Sequence, residues 1–227
     1  VLGGDHANEA NKADMDGNLT ATVTLNKATA DATLTFSGAA DQEMTGAIIA
    51  ASDGEGILTT ANTGGTVTFD AIGTDAAKLT SATIAASNTV VFGGAVAANT
   101  LTIAGTATFQ AADNESEVVV ISDGAIVILD DTLTDGLNVF NKVLTTAPAI
   151  HANAKIYMPV NLSDGQTVNF FVGEANGTIG DASGNDTELD ATMQNTALIS
   201  YDAALVTTGN GSTVVTASAK AESTTAS

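Results

Sequence analysis

Two groups of aspartates are the side chains best placed to do chemistry in this 227-residue chain. Asp130, Asp131 and Asp135 share one charged turn, and Asp181, Asp186 and Asp190 fall in a stretch rich in Gly, Asn and Asp. Carboxylates this close repel one another unless water or a cation stands between them. All-oxygen groups suit a hard cation, calcium above all. Each cluster is therefore a candidate calcium site, set against the simpler reading of a solvated turn. Neither follows the EF-hand pattern. Asp14, Asp16 and Asn18 imitate the opening of such a loop, but Leu19 stands where glycine is needed and Leu25 where glutamate is needed. The run from Asp181 departs in the same way, with Asp186 sixth and Thr192 twelfth.

Catalytic machinery finds little support. The two histidines, His6 and His151, lie in a polar leader and beside a proline-containing connection. No Gly-x-Ser-x-Gly elbow, Walker loop or His-Glu-x-x-His helix occurs. The chain has six lysines and no arginine, so it lacks the forks that grip phosphate or an acidic polysaccharide. A hydrolase acting on a neutral glycan needs only two carboxylates at the right separation, and it stays open as a minor reading. Tyr157 and Tyr201 are too few to build a sugar-stacking platform. Six Asn-x-Ser/Thr sequons occur, at Asn18, Asn114, Asn161, Asn176, Asn185 and Asn210, a number that chance supplies in so Thr-rich a chain.

Composition narrows the class further. The net charge of -20 repels nucleic acid and anionic lipid, so neither is an expected partner. Cysteine is absent, which excludes a disulfide framework and thiolate metal sites. No apolar run is long enough for a transmembrane helix. Thirty-five residues are threonine, while aromatics make up only 4%. A core of small and β-branched side chains suits thin stacked layers.

The elements that must position these residues are short strands. Leu19 to Leu25 alternates apolar residues with threonines at the period of a half-buried strand. The pattern recurs at 32–36, 65–69, 79–84, 89–92, 101–104, 107–109, 117–121 and 125–129, with turn residues between. Phe36, Phe69, Phe92 and Phe109 each close such a strand, as stacked aromatics in successive coils would; the competing reading is four unrelated core phenylalanines in a sandwich. Residues 1–18 read as a polar leader or cap, with alanines spaced for a short helix. Residues 19–147 form a solenoid-like region, and 148–219 form a further β region. Within the latter, Val160 to Val172 carries a hairpin signal, 173–196 is a long loop, and final strands span 197–206 and 212–217 around Asn210-Gly211. The chain from 137 to 144 reads as strand or short helix, and 220–227 as a flexible tail.

The run GTVTFDAIGTDAAKLTSATIAASNTVVFGGAVAANTLTIAGTATFQAA, from Gly65 to Ala112, resembles the passenger domains of rickettsial-type surface-layer autotransporters. The segment Met158 to Val168 is similar to their recurring turn-and-strand units. General bacterial surface-layer proteins share the acidic, cysteine-free, Thr/Ala-rich style. The resemblance implies a β-helix outside the cell that forms coats and mediates adhesion.

The expected fold is all-β: a right-handed parallel β-solenoid, with β-sandwich-like domains as the alternative. The expected role is non-enzymatic, a secreted or bacterial cell-surface protein that assembles with copies of itself into a layer or filament, with calcium bridging acidic turns. The competing role is an adhesin or phage receptor-binding module that recognises a surface glycan. A donor-strand polymer, in which residues 1–30 complete the next subunit's sheet, is a further version.

Overall fold

The computed structural model describes residues 11–27, 30–134, 136–140, 149–150, 154–157, 159, 167–171, 199–208 and 212–221. Among them every regular element is a strand. In chain order these are β1 (Lys12–Met15), β2 (Leu19–Thr20), β3 (Val23–Leu25), β4 (Thr33–Phe36), β5 (Gln42–Ala50), β6 (Ile57–Thr60) and β7 (Thr66–Ile72). There follow β8 (Leu79–Ile84), β9 (Thr89–Phe92), β10 (Ala97–Ile103), β11 (Thr106–Phe109), β12 (Glu115–Ile121) and β13 (Ile126–Leu129). The last six are β14 (Asn138–Phe140), β15 (Ala149–Ile150), β16 (Lys155–Tyr157), β17 (Thr167–Phe171), β18 (Ile199–Thr208) and β19 (Ser212–Ala221).

From β4 to β13, strands two apart in sequence pair in parallel, which makes the chain a coil. The first sheet runs β1-β4-β6-β8-β10-β12-β15, and the second runs β16-β13-β11-β9-β7-β5-β2 with β3 also on β5. Together they form a β-solenoid of about five turns. The parallel order sets the sandwich alternative aside, because a sandwich pairs its strands antiparallel.

Local sequence explains each rung. In β7, Val67 and Phe69 point inward and are buried, while Thr66 and Thr68 stand outward. β9 and β11 repeat the pattern in register: Val67, Val90 and Ala107 form one inward column, and Phe69, Phe92 and Phe109 another. β-Branched threonine suits the outer face of a pleated strand, and apolar side chains fill the narrow interior.

Met44, Phe69, Phe92, Phe109 and Leu129 are successive partners; the coils differ in length, and the turns, with one register shift inside β5, absorb the difference. This accounts for the uneven spacing of the phenylalanines. Phe36 belongs to the first sheet, on β4, and meets Phe69 edge-on across the core at 5.1 Å. The column continues through Phe69–Phe92 at 6.1 Å and Phe92–Phe109 at 5.1 Å to Phe109–Phe140 at 5.5 Å. All five rings are buried.

Several expectations need correction. Lys12–Met15, read as part of a leader with helical spacing, is a strand in register with Thr33–Phe36. The pairing supplies backbone partners that the local sequence could not reveal. The expected strand at 19–25 is broken at Ala21–Thr22, where the chain turns a corner beside Gly46, whose φ is 111°. β5 was not legible because Gln42 is inward and Gly46 interrupts the alternation, and β6 because a threonine, Thr60, takes a buried inward position. The chain at 138–140 is strand.

The first arm and turn of the hairpin expected at 160–172 lie outside the described residues; Thr167–Phe171 is a strand that pairs in parallel with β14 and antiparallel with β19. β18 and β19 do form an antiparallel hairpin; β18 begins and ends two residues later than expected, β19 runs four residues further, and Lys220 lies within β19. The long loop at 173–196 lies outside the described residues. The amino-terminal strands β1, β2 and β3 pair within their own chain, with β4 and β5.

Candidate functional site

The polar side chains with defined geometry sit at the corners between sheets, and most face the next coil. Asn18 Oδ1 accepts the N–H of Glu43 at 2.9 Å, Asp41 Oδ1 that of Thr66 at 2.8 Å, and Asp53 Oδ1 that of Lys78 at 3.0 Å. Asp31 Oδ1 accepts from Gly56 at 3.1 Å, and Asp70 Oδ2 reaches back to Gly46 at 2.8 Å. A corner amide has left one ladder and not entered the next, so a short side chain from an adjacent coil is its natural partner. These carboxylates act as caps between coils.

Asparagine and glutamine do the same work in the interior. Asn88 Oδ1 accepts the N–H of Asn62 at 3.1 Å, while its Nδ2 donates to the Asn62 carbonyl at 2.9 Å. Asn62 Nδ2 donates to the carbonyls of Gly64 and Gly65. One coil earlier, Gln42 fills the corner, accepting from the Gly38 N–H at 3.0 Å and donating to the Met15 carbonyl at 2.8 Å. Asn114 is fully buried at a different corner; its Oδ1 accepts from Val96 at 2.8 Å and its Nδ2 donates to Val139 at 2.7 Å. Sequence reading missed this set. Asn62, Asn88 and Asn114 are evenly spaced, but only the first two share a corner, so spacing alone would have misgrouped them.

Lys78 is buried at a corner beside two acidic side chains. Its Nζ donates to the Asp75 carbonyl at 2.8 Å and lies 3.7 Å from the Asp75 carboxylate and 4.0 Å from that of Asp53. A polar cleft of about 300 Å³ opens over the first coils, lined by Asn18, Asp41, Gln42, Glu43, Thr66 and Thr68. Three of its side-chain oxygens, on Asn18, Asp41 and Gln42, already accept backbone N–H groups.

Of the candidate calcium ligands, Asp130 and Asp131 are described and adjacent after β13. Asp130 Oδ1 accepts the N–H of Thr132 at 3.0 Å, closing a local turn, and Asp131 is exposed. Asp135, Asp181, Asp186 and Asp190 lie outside the described residues, as do His6 and His151. Among the described residues, no three His, Cys, Asp or Glu side chains gather as a metal-holding group. The EF-hand-like residues are dispersed: Asp14 lies in β1 and accepts from the Ser37 hydroxyl, while Asn18 caps Glu43. Of the sequons, Asn114 is buried and closed to modification, Asn18 is exposed, and the other four fall outside the described residues.

Among the described residues no helix is long and apolar enough to cross a membrane. Comparison with protein-family models, with curated proteins and with solved structures finds no match to this chain.

Proposed function

We propose that this chain is a non-enzymatic structural subunit of an extracellular layer or filament at a bacterial surface, built by stacking β-strands of like copies. The supporting observation is how the polar side chains are used. From Asn18 to Asn114 they complete the backbone of an adjacent coil, and even Asn18 and Asp41, which line the polar cleft, are engaged in this way. A stack whose coils complete one another continues into a second copy by the same bonds. The acidic turns, Asp130 and Asp131 among them, give calcium a place to bridge copies that would otherwise repel.

Electron microscopy of the purified chain, with calcium and again with chelator, tests this. Ordered sheets or filaments are expected, and their loss in chelator assigns the bridging to the cation. Discrete monomers under both conditions would overturn the assembly role and favour a glycan-binding adhesin.

A further inference from the structure

Two ranks on the outer face of the first sheet are uncharged from β4 to β12, while β1 at its edge adds Lys12 and Asp14 to the same ranks. Thr35, Thr59, Thr83 and Thr102 stand at equivalent outward positions of β4, β6, β8 and β10. Two residues earlier on the same strands, Thr33, Ile57, Ser81 and Thr100 form a second rank. β12 extends both ranks with Val118 and Val120. None of these ten positions carries a charge, in a chain with 26 acidic residues.

The ranks are held in place from behind. Leu34, Leu58, Ala82, Leu101 and Val119 lie between them in sequence, point inward and are buried. The pairing along β4-β6-β8-β10-β12 has no register shift. The second sheet shifts between Met44 and Ala47 and carries Glu43 outward on β5; from β7 to β13 it presents shorter uncharged ranks that include Thr66, Thr68, Thr106 and Thr108. Coil length varies along the stack, yet the ranks stay aligned because the turns take up the difference. The result is a two-dimensional array of hydroxyl and methyl groups. Its intervals are about 4.8 Å from strand to strand and about 6.6 Å along each strand.

Such an array suits a ligand that is itself a neutral repeating lattice of oxygens. A mineral surface would call for charge, which these positions lack. A polysaccharide would call for exposed aromatic rings, and the five phenylalanines of the core column are buried. Ice repeats its oxygens at a similar pair of intervals on its prism face. Threonine fits it twice, since the hydroxyl joins the lattice while the methyl orders water in the gap between ranks. We propose that the outer face of the first sheet is an ice-binding surface.

The test uses the full chain and ice itself. Wild type is expected to show thermal hysteresis, to facet growing crystals and to suppress recrystallisation. Thr83→Tyr with Thr102→Tyr should bring all three to the level of buffer while far-UV circular dichroism and the melting temperature stay near wild type. Thr108→Tyr, on the outer face of the second sheet, should leave them intact. Absence of any effect by wild type would overturn the proposal, as would full activity in the double variant. If the double variant instead only abolished association between copies, the face would belong to a second copy, and the ice assignment would fall.

Discussion

Asn88 joins two coils through both ends of its amide, and it is buried while doing so. Replacing it with alanine strands the N–H and the carbonyl of Asn62 away from water. The cost of leaving a buried polar group unmatched is about 1–3 kcal/mol, so Asn88→Ala should lower stability by about 2–3 kcal/mol. Asp41 caps Thr66 at an exposed corner, where water replaces the lost acceptor. Asp41→Ala should therefore cost about 0.5–1 kcal/mol, and Asp41→Asn should recover most of it. Urea unfolding of the three variants measures the contrast; equal losses at the two corners would contradict the distinction between buried and exposed caps. Glycine at some corners is a matter of space as well as conformation. Gly73 has a φ of 64°, and a Cβ there would lie 2.1 Å from the Ala97 carbonyl oxygen.

At the scale of strands, the interior is a set of columns, each built from one residue per coil. Phe92 stacks on Phe69 at 6.1 Å and on Phe109 at 5.1 Å, so its removal opens a cavity touching three coils. Phe92→Ala should cost about 3–5 kcal/mol. Thr102 stands outward in β10, between β8 and β12. Proline at that interior position fixes φ, removes an N–H and places a ring against the neighbouring strand. Thr102→Pro should abolish the β signal in far-UV circular dichroism, whereas Thr102→Val should keep it. A folded proline variant would sink the registry given for this sheet.

Charge decides how whole molecules meet. At a net charge of -20, two copies repel, and monovalent salt weakens that repulsion by shortening the screening length from about 8 Å at 0.15 M to about 3 Å at 1 M. If copies associate as proposed, light scattering should show assembly at lower protein concentration as sodium chloride rises through that range. Assembly indifferent to salt would mean that the contacts are not governed by the acidic surface. The uncharged ranks of the first sheet and the acidic corners are separate features, so the ice measurement and the assembly measurement can fail independently.

The strand pattern and the all-β class were legible because alternation is a local property: Thr66-Val67-Thr68-Phe69 carries its inward and outward faces in four residues. The stacking of Phe69, Phe92 and Phe109 was legible for the same reason, since each closes an equivalent strand. Which strands become neighbours was decided only by the tertiary structure. Phe36 looked equivalent to the other three, yet it reaches the column from the opposite sheet. Lys12–Met15 alternates too, but Lys, Ala and Asp are poor strand formers, and it becomes a strand because Thr33–Phe36 offers it a ladder. The corner amides were hidden because a cap is defined by an N–H about one coil away in sequence, and coil length varies with the turns. Sequence thus determined the faces of each strand, through side-chain periodicity. The fold determined the register between coils, through backbone hydrogen bonds whose partners no local pattern specifies.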